Sequence, residues 1–69
     1  MSGKDNRVWP YSVVVVYKCR DGWTTAETGF SSKARATREF NRLANWPHTI
    51  HVLLCRGGHA MLEARPGLE

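Results

Sequence analysis

The sequence lacks a hydrophobic run long enough to cross a membrane. Its longest unbroken apolar stretch extends from Val13 to Tyr17, whereas a membrane-spanning helix needs roughly 18 consecutive apolar residues. Residues 1–7 are mostly polar and are not followed by the apolar core of a signal peptide. We therefore expect a soluble, cytoplasmic protein that does not associate with membranes.

The sequence also has few residues of the kinds that bind metals. It contains two cysteines and three histidines, without the closely spaced Cys or His pairs that structural zinc sites use. His51, Cys55 and His59 are each separated by three residues, but they lie along strand-like segments, where we expect ordinary polar residues and half-buried thiols. We predict no metal and no cofactor. Cys19 and Cys55 are expected to be reduced, and a disulfide between them would require Cα atoms within about 7 Å.

Motifs for catalysis are missing as well. Cys55 and His59 flank a tight turn, but the sequence offers no third group to orient them as a nucleophile and its base. Glu27, Glu39 and Glu63 show no paired arrangement suited to acid–base chemistry. A chain of 69 residues leaves little room for a substrate cleft. We predict no enzyme activity, no catalytic residues and no small-molecule substrate.

What the sequence does contain is the composition of one small, basic, globular domain. Hydrophobic residues make up 42% of the chain and charged residues 23%, which is too apolar for a disordered protein. The net charge is +4, which permits binding to nucleic acid or another anionic partner. A domain this short has marginal stability, so self-association would help it.

The residue pattern predicts two β-hairpins separated by a helix. Residues 11–20 are rich in valine and tyrosine, which favour strands, and residues 23–28 form the return strand. Residues 49–56 are a second strand-like segment, and residues 59–64 return after it. Asp21-Gly22 and Gly57-Gly58 lie between the strands of each pair, as two-residue turns with positive φ require.

Residues 33–44 have helical spacing, with Ala36, Phe40 and Leu43 on one face. Either Ser31 or Ser32 can cap the start of this helix by accepting hydrogen bonds from its free N–H groups. The predicted fold class is therefore α+β, in the order ββαββ, with a mainly antiparallel four-stranded sheet and one helix packed on one face.

The predicted domain covers residues 11–64. We expect residues 1–10 to form a flexible lead-in and residues 65–69 to form a tail. Leu68 and Glu69 match the residues that a common C-terminal tag vector leaves behind, so we give them no weight.

Alternation along the strands predicts which side of the sheet meets the helix. We expect Leu53 and Cys55 of the second hairpin to face the helix. The opposite side, called here the outer face, would then carry a surplus of apolar residues, namely Val14, Val16, Ile50, Val52, Leu54 and Met61. Such a patch marks an interface. Two copies could bury it by packing back to back across a two-fold axis, or the segment containing Trp9 could fold over it.

Two basic clusters suggest a second kind of partner. Arg35, Arg38 and Arg42 form a stripe on the helix, and Lys18, Arg20 and Trp23 cluster near the first turn. Basic residues beside an aromatic ring suit phosphate contact and base stacking. The alternative interpretation is that the stripe is an ordinary solvent-exposed helix face with no binding role.

Residues 29–43, with the sequence GFSSKARATREFNRL, resemble the start of the helix in two families. One is the amino-terminal DNA-arm domains of tyrosine integrases, in which a three-stranded sheet precedes such a helix. The other is the cell-wall-binding SPOR domains, in which a serine-rich start opens the helix of a βαβ unit. The resemblance is confined to this segment, and no functional residue is transferred from either family. The chain as a whole is similar to short proteins carried by phages and prophages.

The leading hypothesis is a non-enzymatic binding module that acts through a protein interface on the outer face, with a second copy or another protein as partner. The alternative is a nucleic-acid-binding module that uses the basic helix stripe. The two differ in their response to salt, because phosphate binding weakens steeply as salt rises.

Overall fold

The computed structural model describes residues 9–68 of the chain. Its elements are β1 (Tyr11–Cys19), β2 (Gly22–Phe30), α1 (Lys33–Ala44), β3 (Thr49–Arg56), β4 (His59–Ala64) and a short 3-10 helix (Pro66–Leu68). The predicted α+β class and ββαββ order are confirmed. The predicted lead-in, residues 1–10, lies outside the described residues except for Trp9 and Pro10.

The four strands form one antiparallel sheet in the order β2-β1-β3-β4. β1 and β3 are therefore the central strands, and β2 and β4 are the edges. Helix α1 packs on one face of this sheet, mainly over β3 and β1. The sheet thus has an inner face, which meets α1, and an outer face, which does not.

The first turn differs from the prediction by one residue. Cys19 pairs with Gly22, so the two turn residues are Arg20 and Asp21 instead of Asp21 and Gly22. The predicted turn would have required positive φ at Asp21, which costs a residue with a Cβ about 1–2 kcal/mol. At the first turn only Gly22 takes a positive φ, of 135°. The register shifts by two residues as a result, and a shift by an even number leaves every side chain on its predicted face.

The second turn is as predicted. Arg56 pairs with His59, and Gly57 and Gly58 have φ values of 57° and 86°. Two successive positive φ values give the turn a twist that matches the flanking strands, and glycine adopts them without steric cost.

The orientation of β3 is opposite to the prediction. Val52 and Leu54 are both 0% exposed and belong to the core, because the pairing of β3 with β1 places them opposite Val15 and Val13. The remaining core residues are Ala36, Phe40 and Leu43 of the helix. Their burial is as predicted. The assignment of Val52 and Leu54 to an outer-face interface is therefore wrong.

A β-bulge explains why Ile50 does not follow Val52 into the core. The register shifts between Val16, which pairs with His51, and Tyr17, which pairs with Thr49. Ile50 is therefore an extra residue on β3, and a bulge redirects the side chains around it. Ile50 is half-buried and lies beside Val16 and His51.

Ser32 is the residue that caps the helix. It has an extended backbone, and its hydroxyl accepts a hydrogen bond from the backbone N–H of Arg35 at 3.3 Å. At the other end, Asn45 donates its backbone N–H to the carbonyl oxygens of Asn41 and Arg42.

Replacing Ser32 with alanine should lower the free energy of unfolding by about 1 kcal/mol, because a free N–H group at the helix start loses its acceptor. The measurement is urea denaturation followed by circular dichroism. Ser31→Ala is the matched control and should have little effect, since Ser31 is exposed and precedes the cap. Equal losses in the two variants would contradict the assignment of Ser32 as the cap.

Candidate binding interface

The outer face carries a mixture of apolar and charged side chains. The cross-strand pairs that define it are Val14–Glu27, Val16–Thr25 and Lys18–Trp23 between β1 and β2, Val14–Leu53 and Val16–His51 between β1 and β3, and Leu53–Glu63 between β3 and β4. Glutamates thus flank the central apolar residues on both sides, so the apolar area is smaller than the sequence suggests.

Trp23 is the most exposed large hydrophobic residue among those described. Its exposure is 69%, compared with 43% for Leu62, 40% for Met61 and 39% for Trp9. It lies on the edge strand β2, opposite Lys18. Together with Val16, Ile50 and His51 it lines a shallow recess of about 350 Å³. An exposed indole beside an apolar recess is the kind of feature that anchors protein interfaces.

The sequence-predicted interface residues are only partly brought together. Val14, Val16 and Ile50 are half-buried on the outer face. Met61 is exposed and lies on β4, where the pairing with β3 shifts its register between Leu54 and Cys55.

Trp9 covers one end of the outer face. Its ring occupies the space that a Cβ on Gly29 would fill, and Gly29 pairs with Ser12 on the outer-face side of the hairpin. A residue with a side chain at position 29 would displace Trp9. The prediction that the segment with Trp9 folds over the outer face therefore applies to this end and leaves Trp23 exposed.

The β4 side of the outer face is occupied by an ionic cluster. One carboxylate oxygen of Glu63 lies 2.9 Å from Nε of Arg65 and 2.6 Å from Nε2 of His51. The hydrogen bond from Arg65, and then that from His51, lowers the pKa of the Glu63 carboxyl below its usual range. This side of the face is therefore polar and suited to contact with water.

The helix stripe lies on the opposite side of the molecule. Arg35, Arg38 and Arg42 line a shallow hollow of about 280 Å³ together with Phe30 and Glu39. Arg42 donates two hydrogen bonds to the Glu39 carboxylate, from Nε to Oε1 at 2.9 Å and from Nη2 to Oε2 at 2.5 Å. The hydrogen bond from Arg42 lowers the pKa of the Glu39 carboxyl and raises the pKa of the Arg42 guanidinium.

Arg35 and Arg38 differ from Arg42 in their surroundings. Within residues 9–68, no carboxylate oxygen lies within 4.0 Å of either guanidinium. Both side chains are exposed. Their charges are therefore available to an anionic partner in a way that the Arg42 charge is not.

The predicted nucleic-acid-binding residues do not form one surface. Lys18 and Trp23 are paired on the outer face, and Arg20 lies in the adjacent turn. The three helix arginines lie beyond the inner face, because α1 packs there. The six residues thus divide into two groups separated by the sheet.

The two cysteines are free and far apart. Cys19 ends β1 at the turn, whereas Cys55 lies opposite Ser12, near the start of β1. Position 19 is seven residues further along β1 than position 12, which corresponds to about 23 Å along a strand at about 3.3 Å per residue. A disulfide within one chain is excluded by this distance.

Sequence reasoning missed two contributors to these surfaces. His51 lines the recess beside Trp23 and binds Glu63, and Phe30 lies in the arginine hollow. His51 shares its side of β3 with the apolar residue Leu53, so its polarity was only a weak signal for an outward orientation. In the described part of the chain, no three His, Cys, Asp or Glu side chains are grouped so as to hold a metal ion.

Comparison with known proteins adds no assignment. None of the protein-family models, curated proteins and solved structures compared with the chain matches it. Within residues 9–68, no helix has the length and apolar character needed to cross a membrane.

Proposed function

We propose that the chain is a small non-enzymatic binding module that binds a second copy of itself at the Trp23 side of the outer face. The observation that carries this proposal is the exposure of Trp23, 69%, beside the recess formed by Val16, Ile50 and His51. Leaving a tryptophan in water forgoes the free energy gained by burying a large apolar side chain.

Two further features favour a second copy as the partner. A chain of this size gains stability from association, because its own core is small. The outer face near Trp23 also carries both signs of charge, Lys18 on β1 and Glu27 on β2. A two-fold axis can therefore place unlike charges opposite each other in both halves of one interface.

The test is the mass of the protein in solution, measured by light scattering after size exclusion at low and high salt. We expect twice the monomer mass of 7.8 kDa at both salts, because burial of apolar surface does not depend on screening. Trp23→Ala should weaken the dimer at least about tenfold, as removal of an aromatic anchor does. Thr24→Ala is the control on the same strand, with its side chain on the other face. A monomer at every concentration, or a dimer indifferent to Trp23→Ala, would refute the proposal.

A second candidate function is nucleic-acid binding through the helix stripe. The observation that favours it is that Arg35 and Arg38 are exposed, with no carboxylate oxygen of residues 9–68 within 4.0 Å, and share a hollow with Phe30 and with Glu39, which is bound to Arg42. Its signature is a steep loss of affinity with salt, which the dimer contact would not show.

A further inference from the structure

We propose that the second copy binds by pairing its β2 strand with β2, antiparallel and across a two-fold axis at Thr25, so that the two sheets become one sheet of eight strands. This inference rests on the proposed function, since it specifies how the Trp23 side of the face meets its partner.

The first argument is the difference between the two edges of the sheet. β4 has six residues, a register shift against β3 and the Glu63–Arg65 ion pair at its end. Short length, bulges and charge are the features by which natural sheets protect their edges. β2 has nine residues, pairs with β1 without a register shift, and carries one charged residue, Glu27. Its residues 22–28 are all exposed. β2 therefore lacks the protection that β4 has.

The second argument is the direction of the β2 backbone. In a hairpin closed by a two-residue turn, the residues next to the turn form a hydrogen-bonded pair, and such pairs recur at every second position. Here the first pair is Cys19–Gly22 and the next is Tyr17–Thr24. The N–H and C=O groups of Trp23, Thr25 and Glu27 consequently point away from β1, toward the open edge. They can pair with a strand of another molecule without breaking a bond inside the first.

The third argument distinguishes edge pairing from back-to-back packing. Glu27 and Glu63 lie opposite the apolar residues Val14 and Leu53 of the outer face. Packing two outer faces together would remove Glu27 of each copy from water, and Glu27 has no ion-pair partner among residues 9–68, so its burial is costly unless it gains one. Edge pairing leaves the centre of the outer face in water, places Trp23 against the β2 strand of the second copy, and joins the two copies through backbone hydrogen bonds.

A second copy fits the open edge better than an extended peptide does. A peptide added to an edge gains specificity from a groove beside the strand. Here α1 lies mainly over β3 and β1, so it does not form one wall of such a groove along β2. A second copy supplies its own sheet, so each face continues across the junction.

The register follows from side chains on β2. A two-fold axis at Thr25 places threonine opposite threonine and Trp23 opposite Glu27 of the second copy, with Lys18 of that copy's β1 strand two strands from Glu27 of the first. Threonine pairs directly opposite each other stabilise neighbouring strands. An axis at Ala26 would instead place Trp23 opposite Gly29, where the Trp9 ring already lies.

The decisive variant is Thr25→Pro. Proline at position 25 removes a backbone N–H that points to the open edge and that would pair with the second copy. Proline is tolerated at such positions of edge strands. We expect a folded monomer by circular dichroism and light scattering, with the dimer weakened at least 100-fold. Thr25→Ala keeps the N–H and loses only the side-chain pair, so it should weaken the dimer far less than Thr25→Pro does. Leu53→Lys should remain dimeric, because Leu53 lies on β3, two strands inside the edge and outside the recess.

Charge exchange at the two-fold axis provides an independent measurement if Thr25→Pro fails to fold. Thr25→Lys and Thr25→Glu each place like charges opposite each other and should be monomeric alone, whereas an equimolar mixture should form a dimer. A wild-type dimer that persists in Thr25→Pro and in both charged variants, but is weakened by Trp23→Ala, would overturn edge pairing and leave the proposed function standing. A wild-type monomer at all concentrations would overturn the proposed function itself.

Discussion

Replacing Leu54 with alanine will remove most of the stability of this domain, whereas replacing its neighbour Leu53 will not. Leu54 is 0% exposed and is among the largest fully buried side chains. Truncation of a buried leucine to alanine costs about 2–5 kcal/mol, part of it from the cavity that remains. A single core in a chain of this size rarely supplies more than about 3–5 kcal/mol. We therefore expect Leu54→Ala to be largely unfolded at 25 °C.

Leu53→Ala is the matched control, because it makes the same chemical change on the adjacent residue. Leu53 is half-buried on the outer face, between Val14 and Glu63, and its loss should cost about 1 kcal/mol or less. The measurement is urea denaturation of both variants at equal concentration. A larger loss in Leu53→Ala than in Leu54→Ala would mean that β3 has the opposite orientation.

The hairpins and the helix could be predicted because their signals are local. Gly57-Gly58 specifies its own turn, and the spacing of Ala36, Phe40 and Leu43 specifies the buried face of the helix. These features depend on residues only a few positions apart, so a short segment of the sequence is enough to predict each of them.

The orientation of β3 could not be read in the same way. Both alternating sets of β3 residues contain apolar side chains, Val52 and Leu54 in one and Leu53 and Cys55 in the other. The choice between them depends on the register against β1, which involves residues about 40 positions apart. The bulge at Ile50 removes the remaining clue, since it interrupts the alternation at the start of the strand.

The features of the binding surfaces also differ in whether they depend on residues close together in the sequence. The helix stripe was predictable, because residues three and four positions apart share a helix face. The ionic cluster of His51 with Glu63 joins two strands, and the contact between Trp9 and Gly29 spans the first hairpin. Such contacts depend on the assembled sheet, so the sequence alone identified the residue types without showing which of them meet.

Replacing Arg35 and Arg38 with alanine should reduce the affinity of the protein for a short DNA duplex and flatten its dependence on salt. Each phosphate contact that is lost lowers the slope of log K against log salt by about 0.9. Removing two contacts per chain should therefore lower the slope by about 2. Arg42→Ala should have a smaller effect, because its guanidinium is already bound to Glu39.

The matched control is the double variant Lys18→Ala with Arg20→Ala, which removes the same charge from the other side of the sheet. Fluorescence anisotropy over a series of salt concentrations measures both variants. If the control loses as much affinity as the helix variant, binding reflects net charge alone. If neither loses affinity, the helix stripe is a solvated surface and the second candidate function fails.

The two proposed surfaces are physically compatible and give one joint expectation. Pairing of β2 strands across a two-fold axis perpendicular to the sheet places both α1 helices on the same side of the eight-stranded sheet. Four arginines without an ion pair among residues 9–68, Arg35 and Arg38 from each copy, would then face one duplex together. The salt slope of the dimer should be about twice that of a folded Thr25→Pro monomer, since the number of phosphate contacts doubles. Equal slopes for the two proteins would show that the helices act separately, whatever the mode of association.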